Sequence, residues 1–344
     1  MSRRIPISFA ALAFGAAFTF TSAAAAQKPT IHRLEATPST VAYGYYWAEA
    51  KPALTVRSGD FIDVETMLTN TPAGLERIGV KAGDVPQHLR DIVARDTGSL
   101  RGPGGHILTG PIYVEGADSG DVLEVRIRSI TLPIAYGYNG CSGFVRELCE
   151  QRGSTLIHLD RKKMTAEVAP GIVVPLRPFF GSIGVAPAAA LGRVSSNPPG
   201  RHAGNLDNKE LVAGTTLYIP VFVKGALLEI GDGHAAQGDG EVDQTAVETN
   251  LEGRIQVIVR KDMKLEWPRG ETPTHWSAMG TDTSLVVATR TAIREMVKFL
   301  QEKKGITQTQ AYQAASMAAD AHITQLVDGN VGVHMMIPKR YLMP

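Results

Sequence analysis

Apolar and polar positions alternate over several stretches of the chain, and this period of two predicts strands at 54–66, 107–114, 121–130, 217–228 and 254–259. In 121–130, Val122, Glu124, Arg126 and Arg128 interleave with Leu123, Val125 and Ile127, the pattern of a strand with one wet face. Gly, Pro and Asp punctuate the runs, which favours sandwich-like antiparallel sheets over a βαβ array. Near the C-terminus the spacing becomes helical. A helix is predicted over 282–303, with Asp282 and Thr283 as cap candidates and Lys303-Lys304-Gly305 as the stop, where the helix dipole favours cations. A second, Ala-rich helix is predicted over 309–327, ending at Asp328-Gly329. Packed on a sheet, the two helices make a mainly β fold with an α+β C-terminal part. Gly/Pro-rich connections at 136–143 and 185–207 read as binding or lid loops. The second offers the best division of the chain, into an N-terminal β-rich domain (27–190) and a C-terminal α+β part (191–344).

Residues 1–26 stand apart as a signal peptide. Arg3 and Arg4 precede an apolar run from Ile7 to Phe20, and Ala23 to Ala26 supply small residues for cleavage near Ala26. The run is shorter than the roughly 20 residues a membrane span needs, so no stable membrane insertion is expected once it is removed. The expected location is periplasmic or secreted, by the general or the twin-arginine route. Of the 344 residues, 35 are Lys or Arg and 34 Asp or Glu, a balance that leaves no field to attract nucleic acid and favours a small-molecule partner. Cys141 and Cys149 are either a short-loop disulfide or two free thiols, and their spacing matches no two-cysteine metal pattern.

The chemistry is concentrated in 231–241, GDGHAAQGDGE, which places Asp232, His234, Gln237, Asp239 and Glu241 among glycines directly after the apolar strand 226–230. Glycines allow a tight fold in which several ligating side chains converge. Carboxylates with one imidazole suit a divalent metal, Zn2+ before Mn2+ or Mg2+. The EF-hand pattern is absent. Asn205 and Asp207 form a second polar group upstream, His106 a third at a glycine-flanked strand start, and Asp63 and Glu65 further carboxylates on the first strand.

The run GTTLYIPVFVKGALLEIGDGHAAQGDGEV, preceded by GNLDNKEL, together with TGPIYVEGADSGDVLEV from Thr109 and PFFGSIGVAP from Pro178, resembles the acetamidase/formamidase family from residue 54 to the C-terminus. The resemblance implies a β-rich fold, hydrolysis of small aliphatic amides to ammonia and a carboxylic acid, and a homo-oligomer. Carried over by position, it makes Asn205, Asp207, Asp232, His234, Asp239 and Glu241 the site, with His106 at the matching strand start. The expected division of labour has Asp207, Asp232 and His234, joined by His106, around the metal. Glu241 moves the proton, Asp239 is a further catalytic carboxylate, and Asn205 orients the amide. The alternatives are a periplasmic hydrolase of a larger amide or other non-peptide C–N bond, and a non-enzymatic binding module. An open cleft lined by Tyr45, Tyr46 or Trp47 would favour a larger ligand. A serine or cysteine nucleophile lacks a GxSxG elbow, and Ser195, Ser196 or Cys141 would each need a base from elsewhere.

Overall fold

The computed structural model describes residues 1–2, 28–96, 101–150 and 153–342. Leader residues 3–26 and the cleavage point near Ala26 fall outside this set. Among the described residues, no helix is long and apolar enough to cross a membrane.

Among the described residues two large sheets carry the fold, and the expectation of a mainly β protein with two helices near the C-terminus is met. The first has nine strands, in the order Ile31–Leu34, Phe61–Glu65, Glu252–Arg260, Val122–Thr131, Thr216–Pro220, Arg269–Glu271, His275–Asp282, Asn330–Pro338 and Asp320–Asp328. The second has eleven strands and is centred on Leu228–His234, which lies between Phe179–Gly184 on one side and Glu248–Thr249 and Ile107–Glu115 on the other. Leu123, Val125 and Ile127 of the first sheet and Ile112, Leu228 and Ile230 of the second belong to one continuous buried core. The core forms because alternate residues on each strand share a face. Strands from both sides of residue 190 contribute to both sheets, so the segments 27–190 and 191–344 share this core.

Several elements depart from the pattern reading. The run 54–66 is two strands, Leu54–Arg57 and Phe61–Glu65, split where Gly59 takes φ +98°. The run 217–228 is likewise split, because Gly225, Ala226 and Leu227 all adopt positive φ between Thr216–Pro220 and Leu228–His234. Asp232 and His234 therefore lie on a strand rather than after one. The connection 136–143 is largely a strand, Tyr136–Gly140, paired with Ser154–Asp160. The first predicted helix is present as Leu285–Lys304, closed by Gly305 in the left-handed conformation. It lies on strands His275–Asp282 and Asn330–Pro338 through Ala288, Ala292, Met296 and Leu300. The second predicted helix is half right: Gln308–Ala318 is helical, but Asp320–Asp328 is an edge strand turning tightly at Gly329 into Asn330–Pro338. Ile323, Thr324 and Val327 suit a strand, and Asp328-Gly329 acts as a hairpin turn rather than a helix stop.

Candidate active site

The site grows from the strand Leu228–His234. Asp232 and His234 are two apart on it, and His234 sits directly opposite Glu248 in the antiparallel register. That pairing brings His234 Nε2 within 3.2 Å of Glu248 Oε1 and 3.3 Å of Asp232 Oδ2. Asp207 arrives from the neighbouring side, just after Ala203–Asn205, and its N–H donates to the Gly181 carbonyl at 3.1 Å. Glu241 comes from the following loop, with Oε1 4.0 Å from His234 Nε2. Asp207, Asp232 and Glu241 are all non-glycine residues held at positive φ, 49°, 57° and 40°. Such backbone strain persists only where surrounding structure imposes it, and here it aims three carboxylates at one imidazole.

A single glycine makes room for them. A Cβ on Gly181 would lie 2.6 Å from both Asp207 Oδ1 and Asp232 Oδ2 and 2.8 Å from His234 Cε1. Gln237 then sets the imidazole. Its Nε2 donates to the Asp207 carbonyl at 2.7 Å, so its Oε1 accepts from His234 Nδ1 at 2.9 Å. The Nε2 nitrogen is thereby turned toward the carboxylates, the kind of outer support that orients a metal-ligating histidine. Asn205 supports Asp207 in the same way: Ser182 Oγ donates to Asn205 Oδ1 at 2.6 Å, and Asn205 Nδ2 donates to Asp207 Oδ2 at 2.8 Å.

Burial dominates the electrostatics. It raises the Asp207 carboxyl well above the usual range, with Glu241, Asp328 and Asp232 adding repulsion. Glu241 is also pushed well up, by burial first. Glu248 is raised by burial against the pull of His234. For Asp232 burial is outweighed by the nearby His234 and His106, and the net shift is downward. His234 is raised, burial being overcome by Glu248 and Asp232. Ionised together, these carboxylates would carry more negative charge than one imidazole offsets, and Asp207 Oδ1 is buried with no hydrogen-bond partner among the described residues. Asp207, His234 and Glu241, and again Asp232, His234 and Glu248, each offer donor atoms within 4.8 Å of one another. Carboxylates around an outwardly oriented imidazole nitrogen, with one orphaned oxygen, fit a divalent cation.

A cavity of about 220 Å³ opens onto this array, lined among others by His106, Asn205, Asp232, His234, Glu241 and Glu248. Of the sequence-derived residues, the structure brings together Asn205, Asp207, Asp232, His234 and Glu241. His106 lies at the edge, its Nε2 3.9 Å from Asp232 Oδ2 and its Nδ1 3.1 Å from Ser196 Oγ. Asp239 is placed elsewhere, against Lys209 and His322. Asp63 pairs with Arg254, Glu65 accepts from Ala36 and contacts His88, and neither lines the cavity. Tyr45, Tyr46 and Trp47 are also absent from its lining. Cys141 is bonded to Cys149 and offers no thiol. Ser196 is fully buried and accepts from the His106 N–H at 3.2 Å, so it positions that histidine.

Sequence reasoning missed Glu248 and Asp328. Glu248 lies beyond the glycine-rich segment, and its only signal was a lone acid in a polar run. Asp328, whose buried Oδ2 has no partner among the described residues, borders the cavity from the strand taken for a helix. Burial pushes its carboxyl up to about 6.

Residues 61–197 and 193–342 match the acetamidase/formamidase family. The chain is similar to a formamidase of Methylophilus methylotrophus, 27% identical over 40% of this chain and 47% of that protein, and so spans about half the length of the curated relatives it matches. Among solved structures, an acetamidase from Yersinia enterocolitica superposes with a TM-score of 0.77 at 28% identity, over 93% of this chain and 95% of the other. An acetamidase from Bacillus halodurans gives 0.75 at 28%, over 90% and 98%. With the family's motifs, its fold and a match running through both sheets, the chain belongs to the acetamidase/formamidase family.

Proposed function

We propose that the chain hydrolyses a small aliphatic amide, of formamide or acetamide size, to ammonia and a carboxylic acid, with a divalent cation of the Zn2+ kind in the acidic cavity. The observation that carries this reading is the cavity itself. At about 220 Å³ it is below the roughly 300–1,000 Å³ of drug-sized sites, and its floor is the buried Asp232–His234–Glu248 array. Asp207, Asp232 and His234 would hold the ion, with Glu248 and His106 in reach, and it would supply carbonyl polarisation and a more acidic bound water.

The chain's own groups account for the proton path. Glu241, which lines the cavity 4.0 Å from His234 Nε2, takes the proton of the attacking water on its carboxylate. It then delivers that proton to the amide nitrogen as the C–N bond breaks, so that RCONH2 and H2O become RCOOH and NH3. Gln237 keeps Nδ1 of His234 protonated, and Asn205, which lines the cavity, holds Asp207. Glu241→Gln is expected to lower turnover by about 10²–10⁴-fold while the far-UV spectrum and melting profile stay those of a folded protein. Ammonia release from an amide panel, before and after chelation, reads this directly. Retained turnover in the variant would sink the assignment.

A larger amide is the second reading, favoured by a groove of about 580 Å³ that meets the cavity at Glu241 and Thr245 and is lined by Ile157, Val168 and Val174. The same panel separates the two by chain length. Export to an oxidising compartment belongs to the proposal and is supported by the Cys141–Cys149 disulfide. So does self-association, for which the exposed Phe144 and Leu148 offer apolar surface.

A further inference from the structure

The C-terminal hairpin sets two histidines face to face, away from the cavity. His322 and His334 are direct partners in the register of strands Asp320–Asp328 and Asn330–Pro338, and their rings stack with centroids 5.0 Å apart and planes 9° from parallel. A carboxylate joins them from the loop that carries Glu241. Gly240 is docked on the hairpin, its N–H donating to the Thr324 carbonyl at 3.1 Å and its carbonyl accepting from Leu326 N–H at 3.0 Å. Asp239, one residue earlier, thereby reaches His322 Nδ1, 3.1 Å from its Oδ2. One donor atom from each of Asp239, His322 and His334 lies within 4.8 Å of the other two. None of the three lines the cavity.

The second observation concerns His334. It is completely buried, its Nδ1 is engaged with Thr324 Oγ1 at 2.8 Å, and its Nε2 has no partner among the described residues. A buried imidazole nitrogen without a partner is costly unless something fills the place, and here the His322 imidazole and the Asp239 carboxylate stand beside the ring that carries it.

We propose that Asp239, His322 and His334 form a second divalent-cation site, one that clips the Glu241 loop to the C-terminal hairpin. Two imidazoles and one carboxylate select a late first-row ion such as Zn2+ or Co2+ over Ca2+ or Mg2+. Three protein ligands leave further positions for water at the exposed Asp239 side. Lys209 Nζ lies 3.0 Å from Asp239 Oδ2, and this ammonium must swing outward when the ion enters. The site stands independently of the cavity's occupancy, because the two share no ligand.

The test counts ions on the metal-stripped full chain, using Co2+ absorption as the probe and Zn2+ titration calorimetry as the check. His322→Gln alters a partly exposed residue on an edge strand, and Asp239→Asn serves as the second variant should the hairpin be perturbed. Asp232→Asn reports the cavity separately. Each of the two hairpin-site variants is expected to lose one equivalent of ion relative to the unaltered chain. The ¹⁵N resonances of the His334 ring should shift with Zn2+ in the unaltered chain and in Asp232→Asn, but not in His322→Gln. Should the cavity take no ion, the unaltered chain binds one equivalent and His322→Gln none, which leaves the second site standing while the cavity reading falls. An ion count unchanged by both His322→Gln and Asp239→Asn, or no ion bound at all, overturns the proposal.

Discussion

Gly181 occupies a position where the difference between hydrogen and methyl decides whether the site exists. The nearest oxygens to its missing Cβ belong to Asp207 and Asp232, and both residues are pinned by strained backbone and by hydrogen bonds from Asn205 and His234. Neither can retreat cheaply. Gly181→Ala is therefore expected to reduce amide turnover by at least about 100-fold, since misplacement on the scale of one ångström is enough for that. The protein should still fold, with a loss of about 1–3 kcal/mol from overpacking. Wild-type kinetics in a crystallographically unshifted variant would show that the glycine is there for another reason. A second residue contributes to the acid limb of stability. Burial works against the charge of Asp60, but N–H groups of Thr30 and Arg57 and the His32 ring bond it, and its pKa falls to about 2. Because the folded-state value is depressed, the stabilisation is complete above about pH 4 and is lost as pH falls toward 2. Replacing Asp60 by Asn should cost about 2 kcal/mol at neutral pH and flatten the dependence between pH 4 and 2, as read by denaturant titrations across that range. Both residues were present in the sequence, and neither could be singled out there. Gly181 lay inside a quoted motif, but its close approach to two carboxylates depends on how Phe179–Gly184 registers with Leu228–His234.

The elements were legible where one periodicity ran uninterrupted. Leu123, Val125 and Ile127 did become an inward face, and the stop at Lys303-Lys304-Gly305 did end a helix, because alternation and capping are local physics. The strand Asp320–Asp328 was not legible, since an Ala-rich helix runs straight into it and only the partner strand Asn330–Pro338 resolves the ambiguity. The cost of that misreading was Asp328, an acid of the cavity. Glu248 was hidden for a related reason: its significance comes from lying across the ladder from His234, a register no single-chain pattern reports. The seat of the long helix gives a prediction at this scale. A Cβ on Gly280 would meet the Ala288 carbonyl oxygen at 2.5 Å and the Ala292 nitrogen at 2.6 Å, so the helix lies on bare backbone there. Gly280→Ala should lift the helix and cost about 1–3 kcal/mol, seen as a lower unfolding midpoint with an unchanged m-value. An unchanged midpoint would mean that the helix has slack the close contact does not show.

Across the whole molecule the cavity is assembled from segments far apart in the chain, and the Cys141–Cys149 loop braces its rim. Ser142 N–H donates to the Asp243 carbonyl at 3.2 Å and Phe144 N–H to the Val242 carbonyl at 2.8 Å, directly after Glu241. Closing a loop of separation 8 is worth roughly 2–3 kcal/mol by restricting the unfolded chain. The double replacement Cys141→Ser, Cys149→Ser should lose about that much in reversible denaturation, and amide turnover should fall by more than the unfolded fraction explains. Turnover that tracks the unfolded fraction alone would show that the brace does not reach Glu241. Asp328 on the cavity wall has an effect of a different kind. It is carried by the outermost strand of the nine-stranded sheet, so whatever frays that edge also moves a wall of the pocket. The core between the two sheets draws on none of the hairpin's side chains, so that edge can loosen and spoil the proposed pocket while the body of the fold stays intact.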